Sequence, residues 1–230
     1  MEPRRFTLID RLIGEIDKAI KVLASPSYAA RDLPAAAPDA PSVPAADAAG
    51  GTASPAAGSL SDSERRESGR LMRVNHAGEV SAQGLYQGQA LTARNSSVAL
   101  SMRRSAAEET DHLAWCQLRL EELGARPSVL NPLWYAGSFL IGALAGALGD
   151  RTSLGFIAET ERQVESHLSE HEGRLPVADR RSRAILEQMK KDEIEHGERA
   201  TELGGRPLPL PIRLGMRLTS RVMTRSSYWL

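Results

Sequence analysis

The sequence has little that would attach it to charged polymers or require an oxidising compartment. It contains a single cysteine, Cys116, so no disulfide can form within the chain, and a reducing compartment fits it best. Lys plus Arg and Asp plus Glu both number 29, so no overall field attracts nucleic acid. Asp10 and Glu15 interrupt the region where a signal peptide would have its apolar core. We therefore expect a cytoplasmic protein that does not bind nucleic acid.

The first 61 residues divide into a helix and a linker. Apolar residues recur at helical spacing over residues 7–24, which predicts an amphipathic helix within residues 1–25. Over residues 26–61 the composition changes to Ala, Pro, Gly and Ser, with few large apolar side chains. Such a segment buries too little surface to repay the entropy of ordering, so we expect a flexible linker. The remaining residues, 62–230, are enough to bury the core of one domain.

Four long helices are predicted within residues 62–230. Ser, Asn and Asp residues that can cap helices precede apolar periodic stretches, and Gly or Pro follows them. The predicted helices cover about residues 61–93, 97–123, 152–174 and 180–203. One long connection joins the two helical hairpins, which is the arrangement of an all-α, ferritin-like four-helix bundle with accessory N-terminal, crossover and C-terminal helices.

The main chemical signal is a repeated spacing of Glu and His. Glu109 is followed three residues later by His112, and Glu193 is followed three residues later by His196. Side chains three apart on an α-helix lie on one face, so each pair can direct a carboxylate and an imidazole at the same point. One such pair would be weak evidence, but the repetition on two predicted helices is not easily explained by chance.

Each pair has further glutamates on the preceding helix of its hairpin. Glu79 stands upstream of the first pair and Glu161 upstream of the second, at nearly equal distances, although spacing alone does not choose among Glu159, Glu161 and Glu165. Two Glu-x-x-His helices facing two Glu helices supply the ligands of a di-iron or di-manganese site. Four carboxylates neutralise two divalent ions, and this oxygen-rich donor set favours iron or manganese over structural zinc.

Other acids and histidines share these helices. Glu108 and Asp192 stand four residues before the two motif histidines, and we interpret them as supporting or surface acids. His167 and His171 form a separate pair that could bind zinc; we favour His167 as an inner hydrogen-bonding residue and His171 as exposed. For His76 a structural and a functional role are equally good interpretations.

The connection over residues 127–149 contains no charged residue. Its length and apolarity would suit a transmembrane helix. A single crossing would place the two Glu-x-x-His motifs on opposite sides of the bilayer, where they could not share a metal site. We therefore reject a membrane span, and we leave open whether this connection is a buried crossover helix or a helix that dips into the membrane interface.

The C-terminal segment, residues 206–230, is basic and amphipathic. It carries five arginines and no acidic side chain, with leucines and valine interleaved and an aromatic residue near its end. This pattern favours attraction to an anionic membrane surface. The alternative is a helix that docks on the bundle and turns its arginines to solvent.

Several segments resemble the signatures of the demethoxyubiquinol hydroxylases of ubiquinone biosynthesis. The resemblance runs from about residue 62 to the C-terminus in the order and spacing of that family, is looser over residues 7–24, and does not extend to the linker. The matching segments are RVNHAGE at 73–79, GQ at 88–89, EETDHL at 108–113, AETERQVE at 158–165 and DEIEHG at 192–197.

The resemblance implies a di-iron site with two bridging carboxylates. In this sequence the implied ligands are Glu79, Glu109, His112, Glu161, Glu193 and His196, of which Glu109 and Glu193 bridge both iron ions. We add Tyr86 and His167 as candidates for side chains that support these ligands from outside the coordination sphere, and we expect no other catalytic residue.

The resemblance also implies an activity and a location. The family hydroxylates the ring of a polyprenylated demethoxyubiquinol with O₂ and two reducing equivalents, which implies a peripheral protein on the cytoplasmic face of the inner (cell) membrane. We expect a narrow apolar channel for this substrate. No Gly-rich nucleotide fingerprint is present, so the quinol, a partner protein of ubiquinone biosynthesis and reduced nicotinamide all remain possible electron donors. The alternatives are a ferritin-like ferroxidase or iron-binding protein, and a membrane-associated helical scaffold.

Overall fold

Seven α-helices make up the described part of the chain in the computed structural model, which covers residues 8–35 and 60–230. No β-strand occurs within these ranges, and the prediction of an all-α, ferritin-like bundle is confirmed. The helices are α1 (Leu8–Ala24), α2 (Asp62–Thr92), α3 (Ser96–Glu122), α4 (Asn131–Ala147), α5 (Asp150–Arg174), α6 (Arg180–Glu202) and α7 (Leu210–Trp229).

Side-chain caps begin three of the four bundle helices. At the start of α2, Ser61 and Glu64 form a capping box, because each side chain bonds the backbone N–H of the other. Asn95 caps α3 and Asp179 caps α6 without a reciprocal bond, each accepting from a backbone N–H two or three residues ahead. These caps stand where the sequence predicts them.

The start of α5 differs from the prediction. The helix begins at Asp150 and not at residues 152–153, and it follows Gly149, whose φ of 116° is a conformation that favours glycine. The Asp150 carboxylate accepts from the backbone N–H groups of Arg94 and Asn95, at 3.0 and 2.8 Å. The earlier start thus ties the beginning of α5 to the turn between α2 and α3.

Helix α4 is the apolar crossover, and its backbone lies very close to α2. A Cβ atom at Gly142 would collide with the carbonyl oxygen of Leu85, and one at Gly88 would collide with that of Phe139. Small residues at such positions let two helix backbones approach closely. Gly137, which the sequence also suggests for packing, faces open space.

Helix α4 is only partly buried. Tyr135 and Ala145 are in the interior, whereas Leu140, Leu144 and Leu148 are 63%, 67% and 75% exposed. The crossover is therefore not fully buried. Among the described residues, no helix combines the length and apolarity that crossing a membrane would need.

One face of α7 docks on the bundle. Ser227 accepts a hydrogen bond from the indole of Trp134 on α4 (3.1 Å), and Tyr228 donates to Glu67 on α2. Leu214 and Leu218 nevertheless remain more than half exposed. The docking interpretation therefore describes one face of the helix, and the opposite face carries exposed leucines and arginines.

Residues 25–35, here called the N-terminal arm, follow α1 and lie against α3. The backbone N–H of Ala30 donates to Asp111 (2.6 Å), and Ala29 and Leu33 pack on the main apolar core. The prediction of a flexible linker is therefore wrong for residues 26–35, because the Asp111 carboxylate on α3 holds this backbone in place through a hydrogen bond. Residues 36–59 of the predicted linker lie outside the described ranges.

The close approach of α2 and α4 makes a pair of substitutions on α4 informative. Gly142→Ala should lower the free energy of unfolding by about 2 kcal/mol, because the added methyl group forces the two backbones apart. Gly137→Ala is the matched control and should raise it by up to about 1 kcal/mol, since alanine is the better helix former. Urea unfolding followed by circular dichroism measures both, and equal effects would contradict the packing described above.

Candidate metal centre

Six predicted ligands lie in the interior of the bundle, where all four long helices contribute. Each is at most 3% exposed. Helix α2 supplies Glu79, α3 supplies Glu109 and His112, α5 supplies Glu161, and α6 supplies Glu193 and His196.

The donor atoms of these residues form two overlapping groups. In each group one donor atom per residue lies within 4.8 Å of all the others. The first group is Glu79, Glu109, His112 and Glu193, and the second is Glu161, Glu193 and His196. Glu193 belongs to both groups. Glu109 also lies between them, because its two carboxylate oxygens are 2.9 and 3.0 Å from Nδ1 of His112 and of His196.

Both histidines turn Nδ1 inward and Nε2 outward. His112 Nε2 lies 2.8 Å from Asp192 Oδ2, and His196 Nε2 lies 2.8 Å from Glu108 Oε2. An imidazole that binds a metal through one nitrogen commonly gives its other N–H to a carboxylate, which sets the tautomer and the ring orientation. Glu108 and Asp192 thus have the supporting position suggested by the sequence, each beside the histidine of the other hairpin.

Burial and repulsion between neighbouring carboxylates raise the pKa values of Glu161 and Glu79. Burial, followed by the charges of Glu193 and Glu109, raises the pKa of Glu161 well above its usual range. Burial likewise raises the pKa of Glu79, against the opposing hydrogen bond with His112. Without a cation, these two carboxyl groups are therefore driven towards their neutral forms.

The pKa values of both motif histidines are also raised, but against the effect of burial. Burial alone would lower the pKa of His112, but the charge of Glu109 and hydrogen bonding with Asp192 and Glu109 raise it well above its usual range. For His196, burial is likewise outweighed by close contacts with Glu109 and Glu193, which raise its pKa to about 11. The surrounding carboxylates therefore favour positive charge on the two imidazoles, and bound metal cations would satisfy the same carboxylates.

The donor set fits two divalent cations. Glu109 Oε1, Glu193 Oε2 and His196 Nδ1 are buried and make no well-aligned hydrogen bond, although the imidazole nitrogen lies 3.0 and 3.4 Å from these two oxygens. Buried polar atoms without partners are costly, and a cation in contact with them would remove that cost. Four carboxylates balance the charge of two divalent ions, and oxygen and imidazole donors suit iron or manganese.

The structure separates the three glutamates of α5 that spacing left open. Glu161 points into the cluster and accepts a hydrogen bond from the phenol of Tyr86. Glu159 instead pairs with Arg162 and Arg213, at 2.6 and 3.1 Å. Glu165 belongs to neither group of donors. Tyr86 therefore has the neighbouring position anticipated for a supporting residue.

Comparison with known proteins gives the family of this chain. Residues 66–227 match the sequence model of the family described as ubiquinone biosynthesis protein COQ7. The chain belongs to this family. A relative from Bordetella parapertussis, named 3-demethoxyubiquinol 3-hydroxylase, is 52% identical over 227 residues, which cover 99% of this chain and 95% of the relative. Relatives of the same name from Cupriavidus taiwanensis and Ralstonia pickettii are each 55% identical over 96% of this chain and 99% of their own length.

The other histidines of this COQ7-family chain lie outside the cluster. His171 is 2% exposed and bonds Asn75 at 2.7 Å, whereas His167 is only partly buried and its Nε2 has no partner. The prediction of an exposed His171 is therefore wrong, because residue 171 faces α2, whereas residue 167 is partly buried. His76 is buried and lies 3.2 Å from the side-chain amide of Asn131, which is a structural role.

An apolar cavity adjoins the cluster. It has a volume of about 370 Å³ and lies between α2, α4, α5 and α7. Glu79 is part of its wall, as are His167 and apolar side chains such as Phe156, Met216 and Met223. The residues of α7 in this wall were not singled out by the sequence, because nothing in their spacing indicates which face of α7 turns inward.

Metal binding should stabilise the fold through Glu193. Ferrous iron added anaerobically at about one hundred times its dissociation constant should raise the free energy of unfolding by about 2.7 kcal/mol. Glu193→Gln should abolish this gain, because Glu193 belongs to both groups of donors. Glu195→Gln, an exposed position two residues away, should keep it. Thermal unfolding with and without iron measures the difference, and an equal gain in all three proteins would contradict the site.

Proposed function

We propose that this protein is a 3-demethoxyubiquinol 3-hydroxylase. It adds a hydroxyl group to the quinol ring with O₂ and two reducing equivalents, and the second oxygen atom leaves as water. The observation that carries this proposal is the contact between a buried cluster of four carboxylates and two imidazoles and an apolar cavity of about 370 Å³. Relatives at 52% to 55% identity bear the name of this activity.

The cofactor in this proposal is a pair of iron ions. Glu79, Glu109, His112 and Glu193 would hold one ion, and Glu161, Glu193, His196 and Glu109 would hold the other. Both bridging carboxylates lie between the two groups of donors, which supports this assignment. When bound, the iron pair supplies the reduction of O₂ and the transfer of one oxygen atom to the ring.

The residues of the chain bind and orient the quinol. The cavity takes the ring and the beginning of its polyprenyl tail, with the ring next to Glu79, and its apolar wall keeps water away from the reacting carbon. His167 lies in this wall with a free Nε2, so it can hydrogen-bond a quinol hydroxyl. Because burial lowers the pKa of His167, the imidazole is neutral and can either donate or accept that bond.

The substrate tail requires access from a membrane, and we assign the protein to the cytoplasmic face of the inner membrane as a peripheral protein. Exposed apolar side chains on α1, α4 and α7, together with exposed arginines on α7, support this assignment. They include Ile13, Ile20, Leu140, Leu144, Leu214, Leu218, Arg217, Arg221 and Arg225. The ferroxidase alternative has no comparable support, because oxidation of iron requires no apolar cavity.

The reaction should depend on His196. His196→Ala should remove iron from the purified protein and abolish hydroxylation together, because His196 is the imidazole of the second group of donors. Glu198→Ala, an exposed change on the same helix, should leave both unchanged. Iron analysis and mass spectrometry of the quinol product test this. Full activity in His196→Ala would refute the ligand assignment.

The basic face of α7 should contribute to membrane binding. Arg217→Glu combined with Arg221→Glu should weaken co-sedimentation with anionic vesicles by at least about 2 kcal/mol, because each arginine near such a surface contributes about 1 kcal/mol. Arg103→Glu with Arg180→Glu changes the net charge equally on α3 and α6 and should bind like the parent. Equal weakening in both double variants would indicate that only overall charge matters.

A further inference from the structure

Helices α3 and α6 carry equivalent residues at more positions than those of the predicted ligands. Four residues before each histidine stands an acid, Glu108 on α3 and Asp192 on α6, which bonds the histidine of the other helix. Four residues before each acid stands a donor that bonds it from the same helix. Arg104 donates to Glu108 at 3.0 Å, and Gln188 donates to Asp192 at 2.9 Å.

The repeat breaks three residues after each histidine. On α6 this position is Arg199, which donates to Glu108 Oε2 at 3.1 Å, the same oxygen that faces His196. On α3 the equivalent position is Trp115, a buried side chain whose indole N–H has no hydrogen-bond partner. The bundle helices therefore supply an arginine to Glu108, the acid that bonds His196. The equivalent position on α3 supplies no arginine to Asp192, the acid that bonds His112.

The N-terminal arm supplies the corresponding arginine. Arg31 lies with one terminal nitrogen 2.9 Å from Asp192 Oδ2, the oxygen that faces His112, and its Nε donates to Asp111 at 2.6 Å. Its guanidinium lies over the Trp115 ring, 4.9 Å from the centroid. Trp115 thus stands in the place of Arg199 and provides an aromatic platform for an arginine from elsewhere in the chain.

We propose that Arg31 is a positioning residue for one half of the metal centre. It holds Asp192 against His112, and Asp192 in turn orients the imidazole so that Nδ1 faces the first group of donors. This inference rests on the proposed function, because it requires His112 to bind iron. The arm acts on the His112 side alone, since the carboxylate behind His196 receives its donors from α3 and α6.

The chemistry of arginine explains why this residue suits the position. A planar guanidinium can bond two carboxylates at once and stack on a ring, which a lysine ammonium cannot do. The Arg31 side chain is 41% exposed, so its ion pairs contribute little to overall stability. The direct partner of a metal-binding histidine, here Asp192, typically changes metal affinity by about 10- to 100-fold when removed, and Arg31 acts through this partner.

Iron binding to the full-length protein tests the inference. Parent, Arg31→Met, Arg31→Lys and Arg103→Met proteins are titrated anaerobically with ferrous iron against a competing chelator, and the loaded forms are compared by Mössbauer spectroscopy. Arg31→Met should weaken the binding of one of the two iron ions by about tenfold or more. It should also alter one of the two components of the Mössbauer spectrum. Arg31→Lys should lie between Arg31→Met and the parent, and Arg103→Met, an exposed change on α3, should match the parent.

The possible results separate the two proposals. Two iron ions in Arg31→Met with parent affinity and an unchanged spectrum would overturn the role of Arg31 and leave the proposed function intact. A parent protein that binds no iron would overturn the proposed function and this inference with it. Circular dichroism checks that each variant is folded. If Arg31→Met does not fold, parent affinity in Arg31→Lys would overturn the inference.

Discussion

The burial of ionisable side chains between four helices is the constraint on which the rest of this structure depends. Four carboxylates and two imidazoles lie in the bundle interior at no more than 3% exposure. Charges removed from water destabilise a fold unless opposite charges and hydrogen bonds accompany them. Protons on the histidines can partly balance the metal-free cluster, and two divalent cations match all four carboxylates. The core is therefore built for a ligand as much as for packing.

The hydrogen bonds around the cluster join the two hairpins. Glu108 on α3 bonds His196 on α6, and Asp192 on α6 bonds His112 on α3. The side chains that orient the inner ligands thus also hold these two helices at the spacing that the centre needs. Such polar networks specify one arrangement of a core when every member is satisfied. The N-terminal arm enters this network through Arg31, which makes it part of the site.

The accessory helices add what a four-helix bundle lacks for a lipid substrate. Helix α4 lies close enough to α2 that Gly88 and Gly142 leave no room for a side chain, and α7 contributes to the wall of the apolar cavity that α2 and α4 also line. Their outer faces carry exposed apolar residues. A buried polar centre, an apolar cavity and an apolar surface therefore lie on neighbouring elements of one fold.

The sequence by itself determined the bundle and the candidate ligands. Helical periodicity, caps and the repeated Glu-x-x-His spacing are local, and residues 62–230 resemble a known family, so the six ligands could be named. Tertiary structure decided what depends on contacts distant in the chain. These are the choice of Glu161 over its neighbours on spatial grounds, the burial of His171, and the docking of the arm through Arg31. In each case a side chain's partner lies on another helix, and no spacing within one helix indicates which residue of that other helix it meets.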